Sequence, residues 1–239
     1  MNRLIHGDCF HELRQLHTAS VDLVCTDPPY IIGAKGCGLA GNREYLKEIS
    51  AHALDQGFDP VLLEEFLRVL RVPNLVIFCS RLQIRDYLNW AHSHALTWAL
   101  ICWHKPNPTP LTNNNYLPDT EYILHFWDGK KLGGAYHSKR RFYVQPATKN
   151  TVGHQTAKPL NIIKNLILNA ATSPGGLVLD PFMGSGTTGV AAIQLGHKFI
   201  GIEINGDYMG VAKRRIAQAS PDFQLNLALT AKDITHEHA

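Results

Sequence analysis

Residues 177–205 read "LVLDPFMGSGTTGVAAIQLGHKFIGIEIN", and the order of chemistry along them decides the fold. "LVLD" is a short apolar run of strand type that delivers Asp180 at its carboxyl end. In the turn Pro181, Phe182, Met183, Gly184, Ser185, Gly186 the glycines let the backbone approach a ligand closely. Thr187 and Thr188 then open a helix whose free N–H groups attract polar or anionic groups. "FIGIEIN" is a second strand, and it ends in Glu203, placed to accept from two ribose hydroxyls as an acid does at that position of dinucleotide folds. The stretch reads as a nucleoside-binding strand–helix–strand unit.

Two other phosphate-binding loops have to be weighed against it. "GSGTTG" at 184–189 satisfies the GxGxxG pattern, and an NAD(P)-dependent oxidoreductase would use Gly184, Gly186 and Gly189 at a pyrophosphate. Against that, "PFM" separates the strand's last acid from the first glycine, whereas the dinucleotide fingerprint places its glycines directly after the strand. A Walker loop is excluded because Val190, not a lysine, follows the last glycine.

Working outward, strand and helix signals alternate. "RLIHGD" (3–8), "VDLVCTD" (21–27), "NLVIFCS" (74–80), "LTWALICWHK" (96–105) and "TEYILHFW" (120–127) read as strands. "DPVLLEEFLRVL" (59–70), with Asp59 as cap and Pro60 in the first turn, "RLQIRDYLNWAHSHA" (81–95) and "PLNIIKNLILNAA" (159–171) read as helices. Such alternation implies an α/β fold, a mostly parallel sheet with helices on both faces. The whole chain, 1–239, reads as one domain.

The second informative stretch is "TDPPY", residues 26–30, at the end of a strand. Consecutive prolines forbid helix and further sheet pairing, so Asp27 and Tyr30 are held on a stiff turn. Taken alone, an Asp followed by Pro at a strand end is also an ordinary turn former.

Composition narrows the class. There is no apolar run of membrane-spanning length and no signal-peptide stretch in "MNRLIHGDCF", so a soluble, cytoplasmic protein is expected, with no membrane partner. The five cysteines, 9, 25, 37, 79 and 102, have no CxxC spacing, which points to reduced thiols, without disulfides or a metal site. Residues 128–149 carry six Lys or Arg against one Asp, with Tyr136, Phe142 and Tyr143 interleaved. That segment reads either as a solvated loop or as a phosphate-contacting one with aromatics near bases.

"DPPY" at 27–30 together with "DPFMGSGTT" at 180–188 resembles the amino-methyltransferases of DNA, in the permuted β-group order where the catalytic motif precedes the cofactor motif. "HGD", "VIFCS", "WHKPNPTP", "DTEYIL" and "HQTAKP" look like further blocks of that family, so the resemblance spans nearly the whole chain. It implies a class I, Rossmann-like methyltransferase sheet using S-adenosylmethionine (SAM), and an enzyme that methylates adenine N6 or, as the alternative, cytosine N4. By the same resemblance Asp8, His154, Thr156 and Lys158 join Asp180, Pro181, Phe182, Gly184, Ser185, Gly186, Thr187, Thr188 and Glu203 around the cofactor, the block of His154, Thr156 and Lys158 closing over it and reaching its carboxylate. "HQTAKP" departs from the commoner "HPTQKP" at Gln155 and Ala157. Asp8 reads equally as the cap of a helix over "CFHELRQL".

The chemistry suits the turn. An exocyclic amine of a base is a poor nucleophile because its lone pair is delocalised into the ring. Hydrogen-bond acceptors on its N–H groups localise that pair. Asp27 and the carbonyl of Pro28, kept aimed by Pro29, are the expected acceptors, with Tyr30 stacking on a base extruded from the duplex. The expected partner is double-stranded DNA with one base flipped; a homodimer and a cognate restriction endonuclease fit the same reading. Residues 33–58 and 128–150 are the expected target-recognition loops, and Trp103 and Lys105 are candidates for the base pocket. A catalytically silent nucleic-acid-binding subunit is the other alternative, and the intact "DPPY" argues against it.

Overall fold

The computed structural model describes residues 2–30, 61–108, 116–130, 132–147, 158–171 and 173–219. Eight strands, β1 (Arg3–His6), β2 (Leu23–Thr26), β3 (Asn74–Cys79), β4 (Thr97–His104), β5 (Thr120–Trp127), β6 (Phe142–Val144), β7 (Leu177–Asp180) and β8 (Lys198–Glu203), form one sheet in the order β1-β8-β7-β2-β3-β5-β4-β6. Among the described residues the helices are α1 (Cys9–Gln15), α2 (Val61–Val69), α3 (Ile84–Ser93), α4 (Leu160–Ala170), α5 (Thr187–Gln194) and α6 (Gly206–Ala219).

The sheet is mostly parallel, as its sequence pattern implies. β1–β8, β8–β7, β7–β2, β2–β3 and β4–β6 run parallel, while β5 is antiparallel to both β3 and β4. Because both faces are covered, the central strands β2 and β3 are buried throughout and apolar except for Thr26 and Asn74 at their ends. Leu23, Cys25, Val76, Phe78, Val178 and Phe199 point to the layer made by α4, α5 and α6. Val24, Leu75, Ile77, Leu179, Ile200 and Ile202 point the other way, to α1, α2 and α3. Each fully buried Leu, Ile or Phe in these layers contributes about 1.5–3 kcal/mol of transfer free energy.

The topology fixes where a ligand can sit. After β7 the chain passes through α5 to β8 on one side; after β2 it reaches β3, by way of α2, on the other. β2 and β7 are neighbours, so their carboxyl ends flank a topological switch point, where α/β sheets open a crevice. Asp27 follows β2 and Asp180 ends β7, and the two motifs of the sequence therefore stand side by side.

One expectation needs correcting. The basic segment is not only a loop: it holds a turn of 3₁₀ helix at Tyr136–Ser138 and the edge strand β6, whose Phe142, Tyr143 and Val144 pair with Cys102, Trp103 and His104. Backbone bonds from Cys102 N to Arg141 O (2.8 Å) and from Gln145 N to His104 O (3.1 Å) hold it to β4. Asn169 of α4 pins its start, accepting from Ser138 Oγ at 2.6 Å and donating to Ser138 O at 2.9 Å. The expected helix cap at Asp59 and Pro60 lies outside the described residues, as do residues 33–58.

Candidate active site

The Gly-rich turn is built to present backbone. Met183 N bonds to Ile202 O of β8, and Gly186, with φ of 83°, starts α5 without a side-chain cap. A side chain at Gly186 would also meet Ala212 of α6, so the position is closed to other residues on both counts. The third glycine, Gly189, packs under Phe199 and Ile216, which gives it a helix-packing role. From behind, Arg215 of α6 donates to Ser185 O (2.6 Å), Ser185 Oγ (2.9 Å) and Thr187 Oγ1 (3.2 Å). The sequence reading missed Arg215, whose only signal is a basic run in an amphipathic helix.

Both acids of this unit are anchored. Glu203 accepts from Gly184 N and from Asn205 N, each at 2.7 Å, so one carboxylate ties the turn to the end of β8 and still has open lone pairs. Burial holds its carboxyl above the ordinary range against those N–H donors. Asp180 is 2% exposed and accepts from Thr26 Oγ1 (2.7 Å), the Phe182 amide (3.1 Å) and the Thr188 hydroxyl. Asp8 caps α1 through His11 N at 3.1 Å, and Gly7 N bonds to Glu203 O, which sets the cap beside the end of β8.

Around Asp27 the structure gathers more charge than the sequence suggests. Lys158 Nζ lies 2.8 Å from Asp27 Oδ2 and 3.1 Å from Glu121 Oε2, and Lys105 Nζ lies 3.1 Å from Glu121 Oε1. The Tyr30 hydroxyl donates to Asp27 Oδ1 at 2.8 Å and approaches Glu121 Oε2 at 3.3 Å. Burial, with the charge of Glu121, holds Asp27 above the usual carboxylate range although Lys158 pulls it down. For Glu121 burial is outweighed by Lys158 and Lys105, and its carboxyl is held low. Lys158, from the block expected to close over the cofactor, has its ammonium on these two protein carboxylates.

A family model described as DNA methylase, covering adenine-N6 and cytosine-N4 enzymes, matches residues 21–214, a span that holds both motif turns. The chain belongs to this DNA methylase family. Among its methylase relatives, the DNA adenine methyltransferase YhdJ of Escherichia coli K12 is 31% identical over 91% of this chain and 83% of its own length. The Type II methyltransferase M2.DpnII of Streptococcus pneumoniae is 28% identical over 89% of this chain and 88% of its own. The crystal structure of the M1.HpyAVI–SAM complex superposes with a TM-score of 0.65 at 26% identity, covering 90% of this chain and all of that one.

The methylase fold brings together Asp27, Pro28, Pro29, Tyr30 and Lys158 on one side of the switch point and residues 180–188 with Glu203 on the other. His154 and Thr156 lie outside the described residues. Trp103 is buried at 2% exposure and donates from Nε1 to Gln145 O at 2.7 Å, so it packs the sheet and braces β6. Lys105 lies within 5.6 Å of the centre of that ring and reaches the cluster at Glu121. Glu121, inside the quoted block "DTEYIL", was not singled out from sequence.

Proposed function

We infer that this methylase transfers the methyl group of SAM to adenine N6 in duplex DNA, directly, on a base turned out of the helix. The observation that carries the reading is the juxtaposition of the DPPY turn and the Gly-rich turn across β2 and β7, joined by the bond from Thr26 to Asp180. SAM suits the second turn: α5 begins without a side-chain cap, and Glu203 holds open lone pairs at the end of β8. Its ribose would bond to Glu203 and its polar tail would meet the N–H groups of Ser185 to Thr188. When bound, it supplies an electrophilic methyl carbon on a sulfonium.

The remaining chemistry belongs to the chain. Asp27 accepts one amine N–H and the Pro28 carbonyl the other, so the nitrogen lone pair is aimed out of the base plane toward the methyl carbon. The prolines keep both acceptors from relaxing. As the new N–C bond forms, the methyl's bond to the sulfonium sulfur would break and leave a neutral thioether, and the amine's surplus proton leaves to Asp27 and then to solvent. Tyr30 supplies the aromatic face for the extruded base. Target choice would come from residues 33–58 and 128–150, and a homodimer and a cognate restriction endonuclease complete the proposed partners.

Adenine is favoured over cytosine by the likeness to an adenine methyltransferase across nine-tenths of the chain. Transfer of tritium from labelled SAM to unmethylated genomic DNA, followed by nucleoside chromatography, tests it. Label in N6-methyladenine is expected. Label in N4-methylcytosine would overturn the base assignment, and no label in DNA would overturn the reaction.

A further inference from the structure

The Lys158 side chain is 8% exposed, and an ammonium so buried is stable only when it is paired. Its partners are Asp27, on the rigid turn, and Glu121, on β5, and the faces of Tyr30 and Phe78 lie 5.1 Å and 5.4 Å from it. With Lys105 the cluster holds two carboxylates and two ammoniums, so its charge balances inside the protein. The geometry also decides which lone pairs of Asp27 stay open. Oδ1 takes the Tyr30 hydroxyl and Oδ2 takes Lys158, leaving each oxygen one more direction for an amine hydrogen.

We propose that Lys158, gripped between Asp27 and Glu121, is a positioning residue of the methyl-transfer site: it fixes the direction of the Asp27 carboxylate and keeps it charged, while Glu121 and Lys105 fix Lys158. This rests on the reading of Asp27 as the acceptor of the target amine. Three kinds of group face Asp27. Lys158 favours its ionised form, as does the Tyr30 hydroxyl bond; Glu121 disfavours it; and Asp180 of β7 and the thiols of Cys25 on β2 and Cys79 on β3 lie close enough to interact with it. Removing the ammonium therefore leaves Asp27 half-buried beside a like charge, and removing Glu121 leaves it beside an unopposed ammonium.

Rates of tritium transfer to unmethylated genomic DNA at saturating SAM, measured against pH, test this. Lys158→Met should move the acid limb of kcat to higher pH by about one to three units, the range for one nearby opposite charge, with KM for SAM unchanged. Glu121→Gln alone should move the limb to lower pH, and in the Lys158→Met background it should bring the limb back toward the wild type. A raised KM for SAM with the limb in place would make Lys158 a cofactor ligand and overturn the inference; so would a Glu121→Gln limb that stays still or rises. Should Lys158→Met not fold, the Glu121→Gln profile decides by itself. Asp27→Asn separates the two layers: if it is active the acceptor reading falls, and if it is inactive while the limbs of Lys158→Met and Glu121→Gln stay in place only the role of Lys158 falls.

Discussion

The Thr26 hydroxyl donates to Asp180 across 2.7 Å, and this buried bond ties the strand that carries the DPPY turn to the strand that carries the Gly-rich turn. The bonded residues are 154 apart in sequence, and the two turns share this hydrogen bond at their roots because β2 and β7 are sheet neighbours. An acid that serves this joint has little carboxylate left for a ligand. Asp180 therefore holds the roots of the two turns together.

That joint is pH-sensitive. Burial, against the bonds from Thr188, Thr26 and the Phe182 amide, pushes the Asp180 carboxyl up to about 7 from an ordinary 3.8. The folded protein then binds this proton more tightly than the unfolded chain does, so the stability it confers is complete below the unfolded value and is lost as pH rises from about 4 to about 7. Asp180→Asn cannot titrate. The Tm of the ligand-free protein should fall from pH ~5 to pH ~8 more steeply in the wild type than in Asp180→Asn, and equal slopes would remove Asp180 as the source.

Asp27→Ala should abolish methylation while leaving SAM affinity nearly intact, because the carboxylate is assigned to the target amine. Loss of an acceptor used mainly in the transition state lowers turnover by roughly a hundredfold or more. Single-turnover rates and equilibrium SAM binding on the same preparation check it. Near-normal turnover would sink the assignment.

Glu203→Ala should weaken SAM binding by about 1.5–3 kcal/mol, the range for hydrogen bonds to a charged group, and leave DNA binding unchanged. Glu203→Gln should do no better. Both carboxylate oxygens accept from backbone N–H groups, so an amide nitrogen would face a donor at Gly184 or Asn205. Titration calorimetry of both variants decides; unchanged affinity would move the nucleoside site elsewhere.

What could be read from sequence was what short segments encode by themselves. β5 and β7 coincide with "TEYILHFW" and "LVLD", since strands covered on both faces carry mostly apolar runs. The cap by Asp8 and the acid ending β8 were equally legible, being local. The edge strand β6 was not: "FYV" is three residues inside a basic run, and it is a strand only because β4 offers it a ladder. The charge cluster was hidden for a like reason. Residues 27, 105, 121 and 158 sit on separate elements, and only the sheet order brings Glu121 to Lys158. Arg215 acts through a turn thirty residues upstream, which no helical periodicity reveals.

The 3₁₀ turn, the Asn169 latch and β6 make the basic segment a fixed platform. Arg140 and Arg141 are exposed and Lys139 half-exposed between the Asn169 latch and β6, with Tyr136 and Phe142 exposed on either side. If these three cations neutralise phosphates, replacing all three with Ala should weaken DNA binding at every sequence and flatten the plot of log affinity against log salt by up to about 2.7, about 0.9 for each lost contact. SAM affinity should stay put, because the patch lies at the β6 edge and SAM is assigned to the turn after β7. Methylated sites should also stay the same, since phosphate contacts set register while base edges carry the information. Asn169→Ala, which frees the segment without removing charge, should weaken DNA binding while keeping the wild-type salt slope. If the triple variant keeps its slope but methylates new sites, the segment reads bases instead; if neither slope nor sites change, it is a solvated edge.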